Sequence, residues 1–517
     1  MANLRWRLLR KKEAIIVILW YAVISLWLQG SGFAPIFQVR SNTKAGQWTY
    51  AISIIVLYPV IGLLGDMWIG RYKIINFSLW IKWITVIIVT MVSTLYVKHI
   101  MPRTMLQADI IIVILSALEQ VGFTAFQVIA IQFGTDQLQG APSEHLSSFI
   151  VWFTWVEQLA TPITEWFNLS ILKEPSISTR IWMLLGWSIM EVLLLSAIIS
   201  IKSCFMSTWF VREPGTPNPY RLVYHVVKFA WKHKHPVQRN ALTHWEDKKP
   251  SRIDFGKCRY GGPFTIEEVE NVKKLLQLTA VLLSLFGIFL VGFSIQFDWQ
   301  SLVMDHIGGR IYTNQAQPAQ LYEAVCDTVV LGALIPLHEL VIYPLFQKYN
   351  PSMLKRIWIG AALVVACCCS ILLIDAIGHR VYSDVDCFRS DSFTSLNLSP
   401  YVVIPSVFYG LSTIIFNIAL VEFIVIRSPH SMKGMLLGLY YTFRFGITEC
   451  FPLSLQYAFN YDNSNHSLSC GTSYYLLLTI IGLLSMMTFT IVAYKLKNWK
   501  NEEAIDVHPF VEEDYEE

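Results

Sequence analysis

Charged side chains inside apolar runs are where this sequence could do chemistry. Lys82, Glu119, Glu157, Asp298, Glu323, Asp327, Glu339, Glu422, Arg444 and Glu449 all stand within long hydrophobic stretches. An ionisable group facing lipid is costly, so such residues face a bundle interior or a wet cavity and mark solute or proton paths. Glu323 and Asp327 are four residues apart and share one helical face. Arg444 lies deep in its run, one turn after Tyr440. A carboxylate taken out of water holds its proton more tightly, and a nearby guanidinium opposes that shift. Asp298 is therefore the first candidate proton site, and Asp327 the second. Asp298, Asp327 and Arg444 admit two readings: a network serving solute and protons, or a purely structural ion pair. Lys82 sits near enough to a span end to snorkel. Glu339, Glu422 and Glu449 stand towards span ends, where hydration or a loop partner is expected.

The composition names the elements that must position these groups. Of 517 residues, 54% belong to the AVILMFWYC set and only 15% are charged, against about 25% in ordinary globular domains. Mean hydropathy is +0.46. A soluble globule buries only part of its chain and could not hide 18 Trp, 23 Tyr and 30 Phe. Disorder, a disulfide scaffold and a nucleic-acid binder are excluded together, and a net charge of +3 is too small for an electrostatic partner to dominate. Crossing the hydrocarbon core takes about 20 apolar residues. On that scale the sequence predicts spans at 14–31, 47–65, 74–97, 107–133, 148–168 and 180–204. Six more follow at 274–297, 321–346, 356–377, 401–426, 434–457 and 473–495. The reading is an all-α membrane protein with twelve transmembrane helices in two six-helix bundles. Its parts are an N-terminus over 1–13, a bundle over 14–205, a linker over 206–273, a second bundle over 274–495 and an acidic tail over 496–517. The first run lacks a small-residue cleavage site, so no cleavable signal peptide is expected.

Lys and Arg crowd the N-terminus, Arg71–Lys73 and the linker, which by the positive-inside rule places both termini in the cytoplasm. The sequons at Asn168, Asn397 and Asn465 then fall in outer loops as candidate glycosylation sites, while a fourth, at Asn76, sits inside a span. Cys387 and Cys470 share the outer side, where a disulfide is permitted, although sequence supplies no distance between them. Cys367, Cys368 and Cys369 read as small packing residues. Within the linker, Tyr220–Lys232 predicts a helix with Val223, Val226, Val227 and Ala230 towards one side. It reads either as a surface helix on the inner leaflet or, as the plainer expectation, as part of a solvated connector. Thr265 with Glu268 three residues on forms a capping box that starts a helix into the seventh span.

Several motifs carry a resemblance. Gly62-Leu-Leu-Gly65-Asp66-Met-Trp-Ile-Gly70-Arg71 resembles the loop between the second and third spans of the major facilitator superfamily, and implies an inner-loop gate at Gly62, Asp66, Gly70 and Arg71. Phe133-Gly134-Thr135-Asp136-Gln137-Leu138, Pro336-Leu-His-Glu339 and Ser428-Pro429 with Glu422-Phe423 before it narrow it to the proton-dependent oligopeptide transporter family. The departures fall on the charges. The family's Glu-x-x-Glu-Arg in the first span aligns with Glu13, Ile16 and Val17. Its fourth-span Lys becomes Gln127, its tenth-span Glu becomes Thr413, and an eighth-span Asn becomes Asp327, while the seventh-span acid persists as Asp298.

The resemblance implies the major facilitator fold around a central cavity, with Gln127, Gln158, Gln296, Asp298, Gln300, Glu323, Asp327, Thr413, Tyr440 and Arg444 as cavity residues. The function expected is secondary transport of a small organic solute, peptide-like as a first guess, with proton coupling and no cofactor or metal. Loss of the amine-pairing Glu and the fourth-span Lys argues against an unmodified dipeptide mode. The alternatives are a uniporter or exchanger of another polar metabolite or anion using Arg444, and a non-transporting scaffold or receptor. No nucleophile–base set, metal site or phosphate loop suggests an enzyme. The partners expected are the solute and the lipid bilayer, in a plasma or endolysosomal membrane.

Overall fold

A bilayer offers the backbone no water, and a helix answers by satisfying N–H and C=O groups within its own segment. The computed structural model follows that demand. Its described residues are helical apart from turns, short 3₁₀ segments and one isolated bridge between Lys257 and Phe264. They comprise 12–30, 44–67, 69–97, 106–138, 145–157, 159, 177–202, 209–211, 218–233, 235, 250–302, 332–339, 351–381, 403–448 and 472–506.

The first group of helices is α1 (Lys12–Gly30), α2 (Lys44–Met67), α3 (Arg71–Val97), α4 (Leu106–Asp136), α5 (145–157) and α6 (Ile177–Ile201). A linker helix follows, α7 (Pro219–Lys232). The second group is α8 (Ile266–Ser284), α9 (Phe286–Leu302), α10 (Met353–Val381), α11 (Val403–Arg427), α12 (Lys433–Tyr441) and α13 (Thr472–Asp506). A π-helical segment, Thr442–Ile447, continues α12. Three described stretches are long and apolar enough to cross a membrane: Met353–Ile374, Val403–Arg427 and Tyr474–Leu496. A fourth joins them if α8 and α9, bent by 43° at Leu285, form one broken span. The described residues thus establish fewer spans than the twelve expected.

Within the first group α4 packs against α1, α2 and α3, and α3 against α6. In the second, α10 packs against α11 and α13, and α13 against α8 and α9. The groups meet where α2 runs beside α12 and the π-helical segment. Two glycines set that approach. A Cβ on Gly62 would stand 2.2 Å from the Gly434 carbonyl oxygen, and one on Gly434 would stand 2.5 Å from the Gly62 oxygen. The two backbones touch, and no side chain fits between them.

Lys82 departs from expectation. It does not snorkel: the side chain is 1% exposed on α3, with Nζ 3.4 Å from a carboxylate oxygen of Glu191 on α6. A buried ammonium needs a counter-charge more than it needs the surface, and α6 supplies one.

Part of the linker also folds more firmly than a solvated connector. Asn218 caps α7 by accepting from the Tyr220 and Arg221 N–H groups, with Pro219 in the first turn, a pairing of cap and proline suited to a helix start. The Asp254 carboxylate accepts from the Ser251 N–H and hydroxyl. It also faces Lys257 at 2.9 Å and Lys273 at 3.5 Å. Lys257 pairs in turn with Glu270 on α8. The capping box forms as expected, Thr265 and Glu268 each bonding the other's backbone. Burial opposes the Asp254 charge, yet Ser251, Lys257 and Lys273 outweigh it and hold the carboxyl below its ordinary value. Burial likewise opposes the Lys257 charge, and Glu270 with Asp254 outweighs it and lifts the amine above its ordinary value.

The two signs define a window. Asp254 contributes stability above its unfolded pKa and loses it as pH falls through the lowered folded value, whereas Lys257 contributes below its unfolded pKa and loses it as pH rises through the raised one. Hydrogen exchange over residues 250–260, corrected for intrinsic rates, should stay slow between about pH 5 and 9 and quicken below about pH 4. Asp254→Ala should quicken it above about pH 5, where the carboxylate is charged, and remove the acid-side step. A second outcome follows from the glycine contact. Gly434→Val should lower the thermal midpoint of the solubilised protein, since overpacking costs about 1–3 kcal/mol, whereas Ile480→Val on an exposed face of α13 should leave it nearly unchanged.

Candidate functional site

Arg444 owes its position to the π-helical segment, whose wider turns interrupt the regular helix, a feature common at functional sites. Its guanidinium is largely buried. Nη1 donates to the Tyr440 hydroxyl at 3.0 Å and stands 3.5 Å from both carboxylate oxygens of Glu157. The Phe445 ring lies 4.7 Å from the guanidinium carbon, close enough for a cation–π contribution. Glu157, near the end of α5, is held from the other side by Gln127 of α4, whose Nε2 donates at 3.0 Å. The Gln127 oxygen accepts from the Tyr58 hydroxyl of α2 at 2.9 Å. Beyond Arg444, the Tyr440 hydroxyl donates to Asn417 of α11 at 3.5 Å. One polar chain therefore runs Tyr58–Gln127–Glu157–Arg444–Tyr440–Asn417, from the first helix group to the second.

Stacked rings fix its surroundings. Tyr58 stacks on Tyr441 at 5.5 Å and Tyr21 on Phe153 at 4.2 Å. A cavity of about 80 Å³ opens beside Arg444, lined among others by Phe289, Thr413, Phe416, Asn417 and Phe445. That is room for several waters. Removing one partner of a buried pair strands the other charge at a cost of about 3–5 kcal/mol. At 3.5 Å, however, this pair is looser than the 2.7–2.9 Å of a tight charge-assisted bond, so its partners can part with less loss.

A second cluster occupies the end of the bundle where α2 turns into α3. Gly70 has φ 80°, a left-handed turn that glycine adopts without a Cβ penalty, and it brings Arg71 back over Asp66. Arg71 donates to both oxygens of Asp136 at 2.6 Å and to Asp66 at 3.1 Å. The other Asp66 oxygen accepts from the backbone N–H groups of Gly434 and Met435 at 2.9 and 3.2 Å. These are orphan donors in the first turn of α12, where a negative charge is favoured. Nearby, Glu422 of α11 accepts from Ser147 of α5 at 2.5 Å and pairs with Arg356 of α10 at 2.9 Å. Gln137 clamps the backbone of Val211, accepting at 2.9 Å and donating at 3.1 Å. Tyr220 of the linker helix α7 packs against the main apolar core, and burial, then the Asp66 charge, pushes its hydroxyl up to about 12.

Of the residues expected at the site, Gln127, Tyr440 and Arg444 come together and Thr413 lines the cavity. Gly62, Asp66, Gly70 and Arg71 meet at the second cluster. Gln296, Asp298 and Gln300 lie on α9, with side chains outside the described set, as is that of Glu119. Gln158, Glu323, Asp327, Glu449, Cys387, Cys470, Asn168, Asn397 and Asn465 lie outside the described residues. The acid beside Arg444 is Glu157 of the first half. Tyr58 and Asn417 were not anticipated, though a lone polar residue in the apolar run Ile414–Leu420 was a signal for Asn417. Glu191 was missed as well.

Comparison with known proteins follows from this geometry. The sequence profile of the POT family matches residues 132–456. Solute carrier family 15 member 3 of Mus musculus is 23% identical over 333 residues, 60% of this chain and 55% of that protein. A probable peptide transporter, ptr2, of Schizosaccharomyces pombe is 29% identical over 126 residues, 23% of this chain and 20% of that protein. The chain thus aligns with about half of the mouse relative and a fifth of the yeast one. Among solved structures, an autoinhibited POT family peptide transporter superposes with a TM-score of 0.61 at 15% identity, covering 94% of this chain and 97% of that one. The POT family transporter PepTSo gives 0.61 at 13%, covering 94% and 98%. The human organic anion transporter MFSD10 gives 0.52 at 10%, covering 92% and 98%. At these identities the structural likeness concerns the fold, a helical transporter fold. The profile match spans more than half of the sequence, and the chain belongs to the POT family.

Proposed function

We propose that this chain is a multi-pass secondary transporter that moves a small polar solute, peptide-like in character, by alternating access between bundles over 14–205 and 274–495. The observation that carries the reading is the polar chain from Tyr58 to Asn417, which crosses from one helix group to the other through the loose Glu157–Arg444 contact. A solute can replace that contact only by serving both charges. Its carboxylate or carbonyl would take Arg444 while its amine or amide takes Glu157 and Gln127. A simple anion would satisfy Arg444 and strand Glu157 in low dielectric, which argues for a zwitterionic or amide-rich solute over an anion alone. Proton coupling then needs a carboxylate whose surroundings change as the cavity alternates between water and enclosure. Asp298 and Asp327 are candidates from sequence, and Glu157 joins them because protonation would remove its charge from Arg444. In this reading the Asp66–Arg71 cluster, with Gly62 and Gly70, is the inner gate.

Uptake into proteoliposomes, with labelled di- and tripeptides set against amino acids and nitrate, tests the reading. Peptide-like solutes should accumulate, and Arg444→Leu should cut uptake at least tenfold while the protein still reaches the membrane. If Arg444→Leu with Glu157→Gln restores uptake, the pair is structural and the proposal fails. Asp298→Asn should remove pH-dependent uptake and spare solute exchange. The proposed orientation has its own measurement: accessibility labelling should find the loops bearing Asn168, Asn397 and Asn465 outside and the 206–273 linker inside, and the reverse pattern overturns it.

A further inference from the structure

The linker helix α7 uses only part of its circumference to pack. Pro219, Val226 and Ala230 are buried, against the turn at Asp254–Gly256 and the start of α8. The opposite face is divided. At 3.6 residues per turn, Tyr224, Val227 and Trp231 fall on one flank, and they are 59%, 36% and 85% exposed. Arg221, His225, Lys228 and Lys232 fall on the other flank, also exposed. Lys228 marks the seam, its amine 5.3 Å from the Tyr224 ring. A merely solvated face has no reason to expose a Trp and a Tyr on the same flank. Packing against a protein core would bury the flanking cations without counter-charges, at a desolvation cost.

We propose that this two-flanked face of α7 docks on the bilayer that holds the protein, Tyr224, Val227 and Trp231 entering the headgroup–acyl boundary while Arg221, Lys228 and Lys232 engage anionic lipid headgroups. Aromatic rings suit that boundary because one end is apolar and the other wet. Basic side chains beside them match the charge of an anionic leaflet, and an amphipathic helix with this division lies in the plane of the surface. Position agrees with chemistry. Tyr220, Leu222 and Val223, at the start of the helix, pack against the main apolar core, where Tyr220 feels the Asp66 charge, and Phe229 lies edge-on to Phe264 at 6.1 Å, just before α8. The helix is thereby held at the bundle end that carries the Asp66–Arg71 cluster, beside a chain segment entering the apolar part of the fold. The sequence that follows the helix is also basic on balance, with Lys234, Arg239, Lys248, Lys249 and Arg252 against Glu246 and Asp247. This inference concerns a surface away from the cavity and stands whether or not the transport reading does.

The test uses the full chain in vesicles of phosphatidylcholine alone, or of phosphatidylcholine with 30% phosphatidylserine, taken as roughly the anionic content that the electrostatics require. On a background stripped of reactive cysteines, Val227→Cys carries a nitroxide between the two aromatic anchors, and Glu267→Cys on α8 is the aqueous control. The ratio of oxygen to nickel-chelate accessibility at residue 227 should rise at least threefold above that at residue 267 in anionic vesicles, and less in neutral ones. Tyr224→Ser with Trp231→Ser should abolish the rise. Lys228→Glu with Lys232→Glu should remove its dependence on phosphatidylserine. All four replacements fall on exposed positions, and unchanged gel-filtration behaviour confirms folding. Equal water accessibility at 227 and 267 in both vesicle types overturns the proposal. So does protection at 227 that appears only when soluble protein is added, which would assign the face to a protein partner.

Discussion

A guanidinium cannot shed its charge inside a protein, so burying Arg444 dictates what must surround it. Its side chain is 11% exposed, and desolvation makes an uncompensated cation expensive. Compensation arrives from the other half of the chain: Glu157 is 287 residues away in sequence and 3.5 Å away in space. That carboxylate carries its own demand for donors, which Gln127 meets, and Gln127 in turn uses Tyr58. A single buried charge in the π-helical segment thereby recruits residues of α2, α4, α5, α11 and α12. Neither helix group can complete the arrangement alone.

The same two helices carry the second constraint. On α2, Tyr58 of the polar chain and Gly62 of the backbone contact are four residues apart. On the facing helix, Gly434 precedes Tyr440 by less than two turns. Asp66 then closes the end by accepting from two free N–H groups of α12. These three contacts lie along one pair of helices, so separation of α2 from α12 at the Gly62–Gly434 contact also bears on Tyr58 and Tyr440 of the polar chain. The polar chain and the Asp66 cluster are thus joined through one helix pair, and packed helices shift as units rather than deform continuously.

What could be read from the sequence was local. The capping box at Thr265 and Glu268 needs partners three residues apart, and it formed as expected. Asp66 and Arg71 are five apart across a glycine turn, and the resemblance of that loop implied their grouping, which the ion pair bears out. The motif residues Asp136 and Gln137 could be recognised, but not that one would bond Arg71 and the other the backbone of Val211. Spacing was silent about Glu157 and Arg444, and equally about Lys82 and Glu191, whose helices meet only after folding. The Lys82 error has a clear cause: depth in a span was estimated along one helix, while the nearest counter-charge stood on another. Asp254 shows a milder form, since Ser251 and Lys257 are local but Lys273 comes from the next helix.

The departures from the family pattern acquire a physical logic in this arrangement. Where the family places a second Glu and an Arg in the first span, this chain has Ile16 and Val17, and Val17 is fully buried in the apolar core with Ile16 packed against it. Of the motif's three charges only Glu13, in the first turn of α1, remains. Gln127, in place of a fourth-span Lys, is neutral and can both donate and accept, which is how it joins Glu157 to Tyr58. A lysine at that position could donate to Glu157 but could not accept from Tyr58. It would also bring a second cation close to Glu157, in competition with Arg444. The neutral residue leaves Glu157 facing one guanidinium at a loose 3.5 Å, with no second cation to tighten or divide the pair.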